Sequence, residues 1–368
     1  MMNYGQRRDR LRKLISKANA DGMLITNFTN VSYLTGFTGE DSFLLVTGDG
    51  DLLLSDPRYE VQISEECQDL PTFIRKPSEL LLDVTARQIV SDRKSLKRLL
   101  FEGGSLSVNA FDQLSSTAPS SDFVKGDSLV ETLRAIKDKQ EIVLLRQAIA
   151  VAERAFQVIR AQLTSRQTER EIAHELERQI RTLGGTGCSF KPIVAVGPRA
   201  ALPHATPGEN QIGSSPFVLI DWGAVVGGYR SDLTRVLLTT KMPPKFSKVY
   251  ETVLMAQQAA ISAMKPGVLV SKIDQVAREV MAAAGMDKRF NHGLGHGIGL
   301  EIHEAPRLGK NWDRPLEPGM VVTVEPGAYF PGWGGVRIED DVLITRDGVE
   351  LLSTLPRGVE DNCVQMLA

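Results

Sequence analysis

Cysteine is scarce: Cys67, Cys188 and Cys363 are the whole complement of this 368-residue chain. Three scattered thiols, odd in number, frame no disulfide scaffold and point to a reducing, cytoplasmic setting. They also argue against a structural zinc, which needs grouped thiolates. No run approaches the roughly 20 apolar residues of a membrane span. The first residues, Arg7-Arg8-Asp9-Arg10-Leu11-Arg12-Lys13-Leu14-Ile15, lack the ~7–15-residue apolar core of a signal peptide, and their basic cluster reads as the wet face of a first helix. A formal net charge of −2 gives no sign of a nucleic-acid partner. No sequence repeat or low-complexity tract is evident. What remains is an ordinary globular composition, 42% hydrophobic and long enough for two domains with cores of their own.

The informative stretch runs from Asp221 to Glu339. Phe217-Val218-Leu219-Ile220 is an apolar run ending at Asp221; after Val226-Gly227-Gly228 the chain resumes with Tyr229 and continues through Ser231-Asp232-Leu233-Thr234-Arg235 to Leu238. This pattern predicts a hairpin, with Asp221 and Asp232 symmetric about its turn and their Cβ atoms roughly 5 Å apart across the ladder. A second hairpin follows, Met320 to Glu325 and Val336 to Ile344, with Glu325 and Glu339 symmetric about Gly332. Between them lies Asn291-His292-Gly293-Leu294-Gly295-His296-Gly297-Ile298-Gly299, whose glycines argue against a zincin-type helix. Two bare carboxylates so close repel each other, and one takes a proton unless a cation lies between them. Four hard oxygen donors and the imidazole of His296 suit two divalent ions, Mn²⁺ first, with Co²⁺, Zn²⁺ or Fe²⁺ as other candidates. Such a pair activates water for attack on a carbonyl or phosphoryl group. A salt-bridged acidic face is the plainer alternative for any one Asp, but not for five residues in symmetric placement.

The order and intervals of Asp221, Asp232, His296, Glu325 and Glu339 resemble the pita-bread metallopeptidases, which include methionine aminopeptidase, aminopeptidase P and prolidase. The resemblance extends over nearly the whole chain. Asn30-Val31-Ser32-Tyr33-Leu34-Thr35-Gly36-Phe37-Thr38-Gly39 and Ser55-Asp56-Pro57-Arg58-Tyr59, which alone are only a strand, a Gly-rich turn and a helix start, look like the amino-terminal domain of aminopeptidase P, prolidase and creatinase. The expected architecture is an α/β creatinase/prolidase-like domain, 1–131, of short strands and helices. An α+β pita-bread catalytic domain, 132–368, follows. In the latter a long helix carries Leu145, Ala148, Ile149, Ala152, Ala155, Phe156 and Ile159 on one face, and Thr168 with Glu171 opens the next helix as a capping box. Two more helices, about 245–264 and 271–284, precede the second hairpin.

The resemblance also implies roles. Asp232 and Glu339 bridge both metals, Asp221 chelates one, and His296 and Glu325 complete the other; Glu325 is further the proton acceptor. His204 and His303 are catalytic donors to the substrate carbonyl or oxyanion, and His292 lies on the substrate side. Arg337 supports the acidic site or clamps substrate, its plainer role being a pair with Asp341. Arg307 is the candidate for a substrate carboxylate, which a guanidinium can grip at both oxygens. The partners implied are proline-containing peptides and a second copy of the chain in a dimer. The stretch Ser189 to Gly197, running on to His204, looks like the matching stretch of short bacterial Xaa-Pro aminopeptidases, and that resemblance implies release of the residue ahead of proline from longer peptides. The alternative is prolidase, an Xaa-Pro dipeptidase. Lys191 departs from the acidic residue expected there. A binding protein without catalysis, or creatinase-like hydrolysis without metal, is disfavoured because all five ligands are present.

Overall fold

The computed structural model describes residues 2–91, 96–126 and 128–367, and it divides into two compact units, Met1–Arg134 and Ala135–Ala368. The first unit begins with α1 (Tyr4–Lys17), β1 (Gly22–Ile25), α2 (Phe28–Thr35), β2 (Ser42–Thr47), β3 (Asp51–Ser55) and α3 (Glu60–Glu66). It continues through β4 (Thr72–Ile74), α4 (Leu81–Ser91), β5 (Arg98–Phe101), α5 (Val108–Thr117), β6 (Asp122–Lys125) and α6 (Leu129–Arg134). The strands form one mixed sheet in the order β4-β3-β2-β1-β5-β6. β1, β2 and β3 run antiparallel in turn, β1 and β2 joined through α2 and β2 and β3 by a hairpin, whereas β4, β5 and β6 lie parallel to β3, β1 and β5.

Two expectations fail in this unit. Arg7 and Arg8 are buried rather than wet. Arg7 donates to Tyr33 O and stacks 4.1 Å over the Tyr33 ring, and Arg8 reaches Asp51 (2.8 Å), Asp69 and Leu34 O. A buried guanidinium needs such partners, and the acid that supplies them lies far along the chain. Asn30 to Thr35 is not a strand either. It belongs to α2, capped by the Asn27 side chain on Thr29 N–H and ended by Gly36 at φ +82°.

The second unit opens with α7 (Lys139–Ala161) and α8 (Glu169–Thr182), each entered through a capping box, Asp138 with Glu141 and Thr168 with Glu171. Next come β7 (Gly187–Cys188), β8 (Ile193–Val196), β9 (Phe217–Trp222), β10 (Ala224–Val226), β11 (Tyr229–Arg230) and β12 (Leu233–Leu238). A second helix pair, α9 (Pro244–Ala263) and α10 (Val270–Ala283), is followed by β13 (Gly295–Gly297), β14 (Glu304–Leu308), β15 (Val321–Val324), β16 (Gly327–Phe330), β17 (Gly334–Arg337), β18 (Asp340–Ile344) and β19 (Val349–Leu351). The sheets run β12-β9-β8, β11-β10-β7, β14-β13-β15-β18-β19 and β16-β17. Helix pair and hairpin thus occur twice, the α+β plan of the pita-bread fold. The apolar face of α7 packs on Val218, Ile220, Trp222, Leu233 and Leu237, with Trp222 stacked on Phe156 at 4.2 Å. The opposite face of the same strands, Phe217, Leu219, Val236 and Leu238, joins the core built with α9 and α10. Among the described residues no helix is long and apolar enough to cross a membrane.

Candidate metal centre and active site

Strand period decides which side chains meet. Asp221 continues the Phe217 and Leu219 face of β9, and Thr234 continues the Val236 and Leu238 face of β12, with Asp232 one step further on the same side. The register differs from the one expected. Gly227 and Gly228, at φ +55° and +83°, form a two-residue turn that pairs Val226 with Tyr229 and sets Thr234, not Asp232, opposite Asp221. Both central residues of such a turn need positive φ, which glycine adopts without strain. Asp232 is therefore diagonal to Asp221 rather than directly across, though still on its face.

In the second hairpin Val324 pairs with Asp340 and Gly327 with Arg337, so Glu325 and Glu339 fall between two ladders at symmetric positions about Gly332. Pro326, without an N–H, interrupts the pairing there. A bridge between Thr234 and Glu339 joins the two hairpins, and Thr234 Oγ1 donates to Glu339 Oε2 at 2.6 Å. His296 is carried by β13, which is squeezed between its neighbours: a Cβ on Gly295 would meet Thr323 O at 2.0 Å, and one on Gly297 would meet Ala305 O at 2.2 Å. The glycines around His296 are thus a packing requirement. His296 Nδ1 lies 3.1 Å from Gly297 O. With Nδ1–H donating to that carbonyl, the tautomer assigned by this contact, Nε2 presents its lone pair to Glu325 (3.5 Å) and Asp232 (3.7 Å).

The acids are held against their ordinary chemistry. Burial pushes Glu325 up to about 8. Burial raises Asp232 and Glu339 well above the usual carboxylate range, reinforced by the charges of Glu339 and Asp221 at Asp232 and of Glu325 and Asp221 at Glu339, and burial raises Asp221 although Arg337 opposes it. Burial, and then His303, brings His296 down to about 4, leaving it neutral. One guanidinium, Arg337, faces these four carboxylates, bonded to Asp221, to Thr234 Oγ1 (3.1 Å) and to Tyr329 OH (2.9 Å). It does not reach Asp341, which lies past the break at Ile338-Glu339 and accepts the Asp232 N–H instead. Asp221 Oδ1 is buried without a hydrogen-bond partner. Asp232, His296 and Glu339 each offer a ligand atom within 4.8 Å of the others. An excess of buried carboxylates, one of them with an orphaned oxygen, beside a neutral imidazole fits divalent cations.

All ten residues singled out in the sequence line one cleft of about 860 Å³. His303 stands edge-on to His296, ring centroids 4.4 Å apart at 78°, and burial followed by Arg307 lowers its pKa. Arg307 lies opposite His296 on the β13–β14 ladder, and His204 is exposed at the cleft wall. His292 is committed to the protein: Nδ1 meets Gly293 O at 2.8 Å and Nε2 meets Tyr329 OH at 2.9 Å, so neither nitrogen is spare for substrate. Three functional neighbours escaped the sequence analysis. Thr234 was readable, two residues beyond Asp232 on one strand face. Tyr329, which joins His292 to Arg337, had a fainter signal, a glycine (Gly335) opposite an aromatic in the hairpin. Thr323, whose Oγ1 receives the His296 N–H at 3.1 Å, carried the same signal as Thr234, two residues before Glu325 on one strand face.

Paired hairpins and helix pairs that converge buried acids and one imidazole at the foot of a cleft define the scaffold of a metal-dependent hydrolase. The matches to known proteins make this specific: residues 143–346 match metallopeptidase family M24, and residues 7–136 match the creatinase/prolidase N-terminal domain. The chain belongs to metallopeptidase family M24, whose members work with divalent metal ions. It is 37% identical over 349 residues to the uncharacterized peptidase YqhT of Bacillus subtilis (95% of this chain, 98% of the relative) and 34% identical over 353 residues to an Xaa-Pro dipeptidase of Pyrococcus furiosus (96% and 99%). Among solved structures, an Xaa-Pro dipeptidase from Bacillus anthracis superposes with a TM-score of 0.93 at 35% identity, covering 99% of this chain and 100% of that one. An X-Pro aminopeptidase from Thermotoga maritima gives 0.88 at 36% identity, covering 97% and 99%.

Proposed function

We propose that this metallopeptidase is a prolidase, hydrolysing Xaa-Pro dipeptides with two divalent ions, Mn²⁺ by preference. This reverses the preference for an aminopeptidase drawn from the sequence. Support comes from the relatives named after dipeptides, in Pyrococcus and Bacillus anthracis. The single structural observation behind it is Arg307, which lies on the cleft wall with no carboxylate paired to it among the described residues. An unpaired guanidinium beside the acidic centre is suited to the carboxylate that ends a dipeptide.

Asp221, Asp232, His296, Glu325 and Glu339 would hold the ions. Bound there, such a pair supplies Lewis acidity and makes water acidic enough to attack a carbonyl near neutral pH. The chain's own residues do the rest. Glu325, ionised once a cation lies beside it, accepts the proton of the attacking water and returns it to the departing proline nitrogen. His204 and His303 donate to the carbonyl oxygen as it becomes an oxyanion. Arg337 keeps Asp221 in place, steadied by Tyr329 and, behind it, His292.

The test is a panel of Xaa-Pro and Xaa-Pro-Xaa peptides with Mn²⁺. Dipeptides should be cleaved and tripeptides spared, and Arg307→Ala, which removes an exposed guanidinium, should cost about 1.5–3 kcal/mol of transition-state binding, the scale of a hydrogen bond to a charged group. Equal turnover of tripeptides, indifferent to Arg307, would return the enzyme to the aminopeptidase class.

A further inference from the structure

His303 does most of its proposed work from a bend, and the bend is held from beneath by a buried ion pair. Lys137 Nζ lies 2.9 Å from Glu304 Oε2, with side-chain exposures of 1% and 5%. Glu304 is the residue after His303. Its other oxygen, Oε1, accepts the Glu301 N–H at 3.0 Å, and a Cβ on Gly299 would strike the carboxylate at 2.6 Å. The carboxylate therefore fills the inside of the turn from Gly299 to His303. The outside is fixed by Arg230, whose N–H donates to Gly299 O (2.9 Å) and whose Nε donates to Leu300 O (3.0 Å).

Lys137 is itself immobile. Its backbone N–H donates to Gly319 O at 2.8 Å, and the next residue, Asp138, is the N-cap of α7. An ion pair removed from water this fully gains little over a pair of apolar side chains in stability. What it supplies is one geometry: a cation at a fixed point admits the carboxylate, and hence the adjoining imidazole, in a single place.

From this we infer that Lys137 is a positioning residue, acting through Glu304 to hold the His303 imidazole edge-on to His296. The inference rests on the donor role proposed for His303. It predicts a coupling that a general stabilising contact would not show, because Lys137 matters to turnover only while His303 is present.

The experiment is a double-mutant cycle on the full Mn²⁺-loaded chain, with an Xaa-Pro dipeptide as probe. Lys137→Met should lower kcat roughly 10- to 100-fold, the scale of misplacing a reacting group by about 1 Å. KM and metal content should stay near wild type, and Lys137→Arg should recover most of the loss. In a His303→Ala background the same substitution should change kcat by less than about twofold. Losses that multiply, or a Lys137→Met enzyme as fast as wild type, would overturn the inference. If Lys137→Met does not fold, Glu304→Gln takes its place in the cycle, since it keeps an acceptor for Glu301 N–H and removes only the charge; the same outcomes then decide. A His303→Ala enzyme with unimpaired kcat would instead remove the donor role on which the inference stands.

Discussion

Glu339 and Asp340 are neighbours in sequence and both are buried, yet one belongs to the chemistry and the other to the framework. Asp340 is fully answered: Oδ1 accepts from Arg235 Nη2 (2.7 Å) and Ser353 Oγ (2.6 Å), and Oδ2 accepts from Gln257 Nε2 (2.8 Å). Arg235, equally buried, also donates to Thr234 O, Glu339 O, Leu355 O and Pro356 O. Glu339 has the Thr234 hydroxyl, and it faces the charges of Glu325 and Asp221 as well as Arg337. A buried charge that the protein neutralises is structure. One that it leaves in surplus awaits something else, here a cation.

The sharpest way to break this distinction is to remove charge from each side. Asp232→Ala or Glu339→Ala should abolish peptide turnover together with metal binding, read by metal analysis of the purified protein. Full activity with two ions per chain would sink the assignment of bridges. Arg235→Met should act oppositely, leaving the ligands in place but costing about 3–5 kcal/mol of stability, because Asp340 then loses its buried cation and keeps as countercharge only the partly exposed Arg357, 3.9 Å away. An unchanged denaturation midpoint would mean that the network is not what holds the two hairpins together.

Proton linkage separates the two acids more gently. In metal-free protein the surplus carboxylates hold protons that the unfolded chain, with carboxylate pKa values of about 4, has already released. Their contribution to stability is complete below that range and is lost as pH rises through the folded values, about 8 for Glu325. His292 and His296, both pushed down to about 4, act with the other sign, but only until unfolded histidine titrates near 6.5. Above about pH 7 the carboxylates dominate, joined toward pH 8.5 by the thiols of Cys67 and Cys188, which burial raises to about 11 and about 12, so the Tm of metal-free protein should fall across that window and that of loaded protein should fall less. A metal-free Tm that climbs there would contradict the surplus. The smallest effect belongs to an exposed charge: Lys191→Glu at the cleft wall should change kcat/KM less than about tenfold and mainly alter its salt dependence.

What was legible in the sequence followed from short-range rules. Capping boxes at Thr168, apolar periodicity on α7 and hairpin symmetry about Gly332 all express chemistry within a few residues of themselves. The misses came from partners remote in the chain. The Asp221–Asp232 register turned on whether Gly227-Gly228 made the whole turn, Arg7 and Arg8 found partners well outside α1, and His292 met Tyr329 only after the second hairpin had closed. The charge surplus at the metal centre was visible as composition. Its division into answered and unanswered acids was not, because Arg235 chooses Asp340 over Glu339 by strand face alone.

The bridge from Thr234 to Glu339 has a mechanical consequence. It fastens the first hairpin to the end of the second, across both intervening helices and β13 to β17. Closing so long a stretch carries an entropic cost, which the bridge meets together with the bonds of Arg235 to Glu339 O and Asp340 and of Arg337 to Asp221. An ion gripped by residues from both hairpins would be a removable clasp on the same loop, so the cofactor that enables hydrolysis would also govern how readily this lobe comes undone. Enzyme lifetime would then track the rate at which the ion departs, and the first peptides to lose protection would lie in β9, β12, β15 and β18.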